Sequence, residues 1–223
     1  MRASELVKIK ATKDTIIYLD MDGVLANFFA EYAKLADVKS YRDIPAAKVD
    51  PILDSLIGTD FFARLPKFPT ADQLVNLAIS YAGSYSICSS PLRNDYANSE
   101  KWKKIWIKEH LNPQPQTIQI TSNKAQFATN GQTPNILIDD KGTNIDAWRK
   151  AGGIGIKYQA DEDSLDVVRN ALDMYYGKVG ESMDHFYGLD PNNLSYRHKI
   201  GKVYGKKNLK VPHAKYVSKR TKK

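Results

Sequence analysis

The 223 residues are 42% hydrophobic and 26% charged, which excludes wholesale disorder and a collagen-like fibre and suits one long domain, or one with an insertion. A single cysteine, Cys88, excludes an internal disulfide and a Cys-rich zinc site and fits a reducing, cytoplasmic setting; no apolar stretch nears the roughly 18 residues of a membrane span, and MRASELVKIKATKD at the start lacks the apolar core of a secretory signal. The net charge of +8 is uneven: residues 191–223 hold 11 Lys/Arg and no Asp/Glu, leaving 22 basic against 25 acidic residues before them, a net of −3 for the body.

In chain order, residues 15–20 (TIIYLD) read as a buried strand: short, rich in β-branched and aromatic residues, and bounded by polar ones. A helix is expected over 24–35. The stretch 34–69 contains no convincing strand but carries Pro45, Pro51, Pro66, Pro69 and the pair Phe61-Phe62. It is too long for an ordinary connection and reads as a small, mainly helical cap inserted after the first strand. A helix over 71–81 and a strand over 85–90 (YSICSS) follow. Next comes a helix over 99–111, in which Trp102, Ile105, Trp106 and Glu109 follow a 3–4 spacing that places both tryptophans on one face. Strands are expected over 117–121 (TIQIT), 135–139 (NILID) and 154–158 (IGIKY), with helices over 144–151 and 164–176.

Near-continuous apolar strands alternating with helices predict an α/β fold, a Rossmann-like parallel sheet flanked by helices on both faces. The expected division is a core of residues 1–33 and 70–180, a helical cap of 34–69 and a basic extension of 181–223.

Ligands of such sheets bind beyond the carboxyl ends of the strands. There the sequence places Asp20-Met21-Asp22-Gly23, Ser89-Ser90-Pro91, Lys124 and Asp139-Asp140. Taken singly, each has an ordinary explanation. A DxDG string is often a turn with Gly at a positive φ. A calcium loop would need oxygen ligands where Val24, Leu25 and Ala26 stand. An Asp pair at a helix start is commonly a cap. Together, however, four converging acids repel one another, and a divalent cation with a lysine is the natural compensation.

TIIYLDMDGVLANF, ICSSP, the lysine of ITSNK and ILIDD, in this order, resemble the four motifs of the haloacid dehalogenase-like phosphohydrolases. Within that superfamily the chain is most similar to the 5′(3′)-deoxyribonucleotidases, over roughly residues 15–176. The resemblance implies that Asp20 is the nucleophile, forming an aspartyl-phosphate, with Asp22 protonating the leaving oxygen and then activating water. It implies Mg²⁺ bound by Asp20, the Asp22 carbonyl and the Asp139-Asp140 pair, with Asp140 favoured as the direct ligand and Asp139 behind it or in its place. Ser89, Ser90 and Lys124 would hold the phosphoryl oxygens. Two departures stand out: Ser89 replaces the family's commoner Thr, and Ser122-Asn123 precede Lys124 in place of a basic-acidic pair.

If the resemblance extends to the substrate, Phe28, Phe61 and Phe62 line a nucleobase slot, although phenylalanines at such spacing are usually core. Arg93 would reach the ribose or phosphate, or be an ordinary surface arginine. The expected substrate is a (deoxy)nucleoside 5′-monophosphate, with a pyrimidine such as dUMP or dTMP preferred. The alternatives are a polynucleotide end-phosphatase and a non-catalytic nucleic-acid-binding or scaffold protein. The extension 191–223, with Tyr196, Tyr204 and Tyr216 among its lysines, is either a solvated tail or an arm for nucleic acid. No membrane partner is expected, and oligomeric state stays open, a homodimer included. His110, His185, His198 and His213 lack metal-ligand spacing.

Overall fold

The computed structural model describes residues 9–178; the basic extension, with its proposed nucleic-acid arm, lies outside the described residues. The first strand, β1 (Ile17–Leu19), is buried along its length. It leads through a loop to α1 (Phe28–Leu35), and α2 (Ala46–Asp54) follows, with single 3-10 turns at Tyr41–Asp43 and Phe61–Arg64. After α3 (Ala71–Ala82) come β2 (Ser86–Ser89), α4 (Tyr96–His110) and β3 (Ile118–Ile120). A 3-10 turn at Lys124–Phe127 precedes the two-residue strands β4 (Thr129–Asn130) and β5 (Thr133–Pro134). The chain then forms β6 (Ile136–Asp139), α5 (Gly142–Lys150), β7 (Ile154–Lys157) and α6 (Asp166–Tyr175).

The five long-range strands pair in the order β3-β2-β1-β6-β7, all parallel. Alternation along them sorts the core into two layers. Ile17, Leu19, Ile87, Ile136, Ile138, Ile154 and Ile156 meet residues of α3, α4 and α6 on one face. Tyr18, Cys88 and Leu137 meet Ile145 and Trp148 of α5 on the other. Trp106 and Trp148 are wholly buried, each contributing at most about 4–6 kcal/mol by area. Both indoles also find an acceptor, Leu65 O at 2.7 Å and Asn135 O at 3.0 Å. The α/β, Rossmann-like sheet flanked by helices is therefore as expected, and all five strands fall within their predicted spans.

Three local differences have clear causes. The first helix starts at Phe28 and not at residue 24, because the amides of Val24, Leu25 and Ala26 all turn back onto Met21 O at 3.3, 2.9 and 2.8 Å. Asn27 then caps α1, its Oδ1 accepting from Ala30 N at 3.2 Å. Second, the buried face of α4 is Ser99, Lys103, Trp106 and Ile107; Trp102 and Ile105 are half-buried and Glu109 is exposed. Third, a small antiparallel hairpin, β4–β5, turns at Gly131, whose φ is +60°.

Between β1 and α3 the chain leaves the core and returns at one place. Asn27 N donates to Pro66 O at 2.8 Å, Phe68 N to Leu25 O at 2.9 Å, and Ala26 bridges Lys67. The excursion is helical, with its own small apolar cluster of Tyr32, Ala36 and Ile44 packed by Phe28, Val49 and Leu53. Among the described residues no helix is long and apolar enough to cross a membrane.

Candidate active site

The parallel order brings the carboxyl ends of β1 and β6 side by side, with Leu19 opposite Ile138, so Asp20 and the Asp139-Asp140 pair must meet. Carboxylate oxygens of Asp20, Asp139 and Asp140 all lie within 4.8 Å of one another. Lys124, almost fully buried, stands among them with Nζ 2.9 Å from Asp20 Oδ1 and 2.6 Å from Asp139 Oδ2. Burial opposes its charge, but the two carboxylates outweigh burial and hold the ammonium above its ordinary pKa.

Each acid has a distinct environment. Asp20 Oδ1 is pinned by Lys124 and by Met21 N at 2.7 Å, which leaves Oδ2 without a donor among the described residues. Asp139 is saturated: besides Lys124 it accepts from Lys141 N at 2.7 Å and from Asn144 Nδ2 at 3.2 and 3.1 Å. Burial, and then Asp20, still push its pKa up. Among the described residues no such donor is seen on Asp140; burial first, then the Asp20 and Asp139 charges, push its carboxyl up to about 8. The Asp22 carboxylate is not among these three and pairs with a different lysine. Its Oδ2 is 2.5 Å from Lys103 Nζ, while its Oδ1 is buried with no hydrogen-bond partner among the described residues. Burial raises its pKa and Lys103 opposes the rise.

Lys103 is the component that sequence reasoning missed. Fully buried, it donates to Asp22 and to Ser89 Oγ at 3.0 Å, and its ammonium lies 4.5 Å from the Phe62 ring centroid. The available signal was its spacing from Ser99 and Trp106 on the face of α4 that packs inward. With it, four carboxylates face two buried ammonium groups, Lys103 and Lys124. The remaining two negative charges are what one divalent cation would cancel, and an all-oxygen donor set suits Mg²⁺ or another hard cation.

The other expected residues are placed as follows. Ser89 is buried at the end of β2 and Ser90 is half-buried beside it. Phe61 and Phe62 are buried, while Phe28 is half-buried. The Phe28 ring stacks on Tyr32 at 5.5 Å and on Phe62 at 6.4 Å, and meets Phe61 edge-on at 5.8 Å. Arg93 is engaged by α2: Nη1 is 2.9 Å from Asp50 and Nη2 3.1 Å from Asp54.

No protein-family model matches the chain, and no curated protein matches its sequence. Solved structures with a similar fold include a hydrolase from Streptococcus pneumoniae TIGR4, 13% identical over 73% of this chain and 100% of its own, with a TM-score of 0.45. A haloacid dehalogenase-superfamily hydrolase from Ehrlichia chaffeensis is 15% identical over 74% of this chain and 98% of its own, with a TM-score of 0.44. A third is a family enzyme from Bacteroides thetaiotaomicron, an aspartate-to-alanine variant in complex with magnesium and inorganic phosphate. It is 14% identical over 67% of this chain and 96% of its own, with a TM-score of 0.40.

Proposed function

We propose that the chain is a Mg²⁺-dependent phosphomonoesterase of the haloacid dehalogenase-like type, hydrolysing pyrimidine (deoxy)nucleoside 5′-monophosphates through an aspartyl-phosphate. The observation that carries this reading is the division of labour among the four acids. Asp20, Asp139 and Asp140 gather their oxygens within 4.8 Å, whereas Asp22, two residues from Asp20, is turned onto Lys103 with one oxygen unpartnered.

In this reading Asp20, already oriented by Lys124 and Met21 N, attacks phosphorus and displaces the nucleoside oxygen. Asp22, its pKa raised by burial, gives that oxygen a proton and later removes one from the water that hydrolyses the aspartyl-phosphate. Ser89, Ser90 and Lys124 hold the phosphoryl oxygens, with Lys103 behind Ser89. Asp20, Asp140 and the Asp22 carbonyl would hold Mg²⁺, which supplies charge neutralisation between nucleophile and phosphate. Asp139, saturated by Lys124, Lys141 and Asn144, supports the site from behind. Half-buried Phe28 would meet the base, with buried Phe61 and Phe62 backing it.

Purified protein with Mg²⁺ is expected to release phosphate from dUMP or dTMP, and Asp20→Asn to abolish release while keeping the fold by circular dichroism. Faster turnover of 3′-phosphorylated oligonucleotides would overturn the mononucleotide assignment. No release from any phosphomonoester would overturn the enzyme class.

A further inference from the structure

We propose that Lys103 is a positioning residue for the phosphoryl-transfer step: its one buried ammonium aims Asp22 at the leaving oxygen and makes Ser89 a donor to the phosphoryl group, which suits the site to esters of poor leaving groups such as a sugar hydroxyl. The chemistry rests on the phosphomonoesterase reading; the geometry does not. The Lys103 side chain is wholly buried, and an ammonium has three N–H donors and no acceptor. Two directions are taken by Asp22 Oδ2 at 2.5 Å and Ser89 Oγ at 3.0 Å. A third side faces the Phe62 ring, whose centroid is 4.5 Å from Nζ. The three partners come from the loop after β1, the end of β2 and the 3-10 turn at Phe61–Arg64, so the ammonium joins segments far apart in the chain.

The helix that carries Lys103 is locked on either side of it. One turn before, Ser99 Oγ accepts from Leu92 N at 3.1 Å, which ties α4 to the loop leaving Ser89. One turn after, the wholly buried Trp106 donates from its indole to Leu65 O at 2.7 Å, which ties α4 to the turn bearing Phe62. The neighbours of Lys103 on the inner face of α4 are therefore hydrogen-bonded to the very segments that supply its partners. Little rotamer freedom is left to a side chain that would otherwise have much.

A neighbour that can only donate imposes a direction on each partner. Ser89 Oγ has to accept from Lys103, so its own proton is left for another acceptor, and a phosphoryl oxygen at the end of β2 is one. One oxygen of Asp22 is engaged by Lys103, and the other has no hydrogen-bond partner among the described residues; the unengaged oxygen is the one left to carry a proton. In the transfer, an Asp20 oxygen forms the bond to phosphorus. The bond from phosphorus to the ester oxygen breaks with its electron pair on that oxygen, and the proton of Asp22 passes to it, releasing the alcohol. A nucleoside oxygen needs that proton, whereas p-nitrophenolate leaves without it. Lys124 is placed for a different task, with Nζ on Asp20 and Asp139.

The test uses the full chain and two readouts: kcat/KM for dTMP against p-nitrophenyl phosphate, and proton exchange at the Lys103 ammonium by NMR. Because kcat/KM covers the steps through loss of the leaving group, it reports the proton transfer and not the later hydrolysis. Lys103→Met is expected to lower kcat/KM for dTMP at least about tenfold more than for p-nitrophenyl phosphate. Ser89→Ala should lower both alike, since the two esters present the same phosphoryl oxygens. Lys103→Arg keeps the charge, but its planar fork does not reproduce three divergent donors; it should show the same split, and it decides the matter if Lys103→Met does not fold. Equal losses on both esters in the lysine variants, as a purely structural lysine would give, would overturn the proposal. The Lys103 Nζ protons should exchange slowly in the unaltered protein and faster in Ser89→Ala and Asp22→Asn. If dTMP is not hydrolysed, the nucleotide reading fails, and exchange alone decides. Slow exchange that both substitutions speed supports the positioning; fast exchange in the unaltered protein, or exchange that neither substitution moves, overturns it.

Discussion

Replacing Lys103 with Met keeps the length of a wholly buried side chain and removes its charge. Three contacts are lost: the ion pair to Asp22 at 2.5 Å, the hydrogen bond to Ser89 at 3.0 Å and the ammonium over Phe62 at 4.5 Å. Leaving one member of a buried pair unpaired typically costs about 3–5 kcal/mol. Here Asp22 has an escape, because it can take a proton. The electrostatic loss therefore cannot exceed the work of protonating a carboxyl whose ordinary pKa is 3.8. At about 1.4 kcal/mol per pH unit, that ceiling is roughly 4.4 kcal/mol at pH 7 and roughly 1.6 at pH 5. The true loss is smaller, since burial already raises the Asp22 pKa in the native protein, and about 1 kcal/mol is added for the Ser89 bond. The sign follows from linkage. The variant raises the folded-state pKa of Asp22 further, so its folded state holds more protons than its unfolded state above about pH 4 and loses stability as pH rises. Urea unfolding at pH 5 and pH 7 should show a destabilisation growing by up to about 3 kcal/mol between them. In an Asp22→Asn background most of that growth should vanish. A loss independent of pH, or equal in both backgrounds, would refute the pairing as the cause.

Other outcomes follow from the same geometry. Because Asp140 is pushed up to about 8, Mg²⁺ bound there as proposed would have to displace a proton below that pH. Its affinity, measured by calorimetry, is expected to rise by up to about tenfold per pH unit from 6 to 8 and then level off; affinity flat over this range would contradict a metal site built on Asp140. Gly153→Ala would place Cβ 2.2 Å from Trp148 Nε1 and 2.7 Å from Ala128 O. The overlap with backbone should cost about 2–3 kcal/mol by denaturant unfolding, and the Trp148 fluorescence should change with the loss of its bond to Asn135.

Much of the acid cluster was legible because of how parallel sheets are built. A strand buried on both faces reads as an unbroken apolar run, so a polar residue at its carboxyl end is conspicuous; Asp20, Ser89 and Asp139 were found this way. Lys103 was hidden by the same logic. A lysine within a helix reads as solvent-facing, and the spacing that put Trp102 and Trp106 on one face gave no sign that Lys103 packs inward beside Trp106. Only the acceptors, Asp22 and Ser89, explain why a lysine is tolerated there, and both come from distant parts of the chain. The start of α1 was misplaced for a different reason. Val24-Leu25-Ala26 has good helical composition, but the Met21 carbonyl collects three amides, a turn that propensity does not register. The partners of Arg93 were equally out of reach, since Asp50 and Asp54 become its neighbours only once α2 folds back.

The single doorway of the excursion has an evolutionary consequence. Because residues 26 and 67 are bonded across its base, what lies between can vary in length and composition without moving either end of the core. The two halves are not equally free to do so. Residues 56–65 roof the electrostatic machinery through Phe62 and Leu65 and are tied to the fate of α4. Residues 36–54, packed on α1 through Ile44, Val49 and Leu53 and tied by exposed ion pairs, form the freer panel. Changes confined to that panel would leave the clustered acids and the two buried lysines untouched.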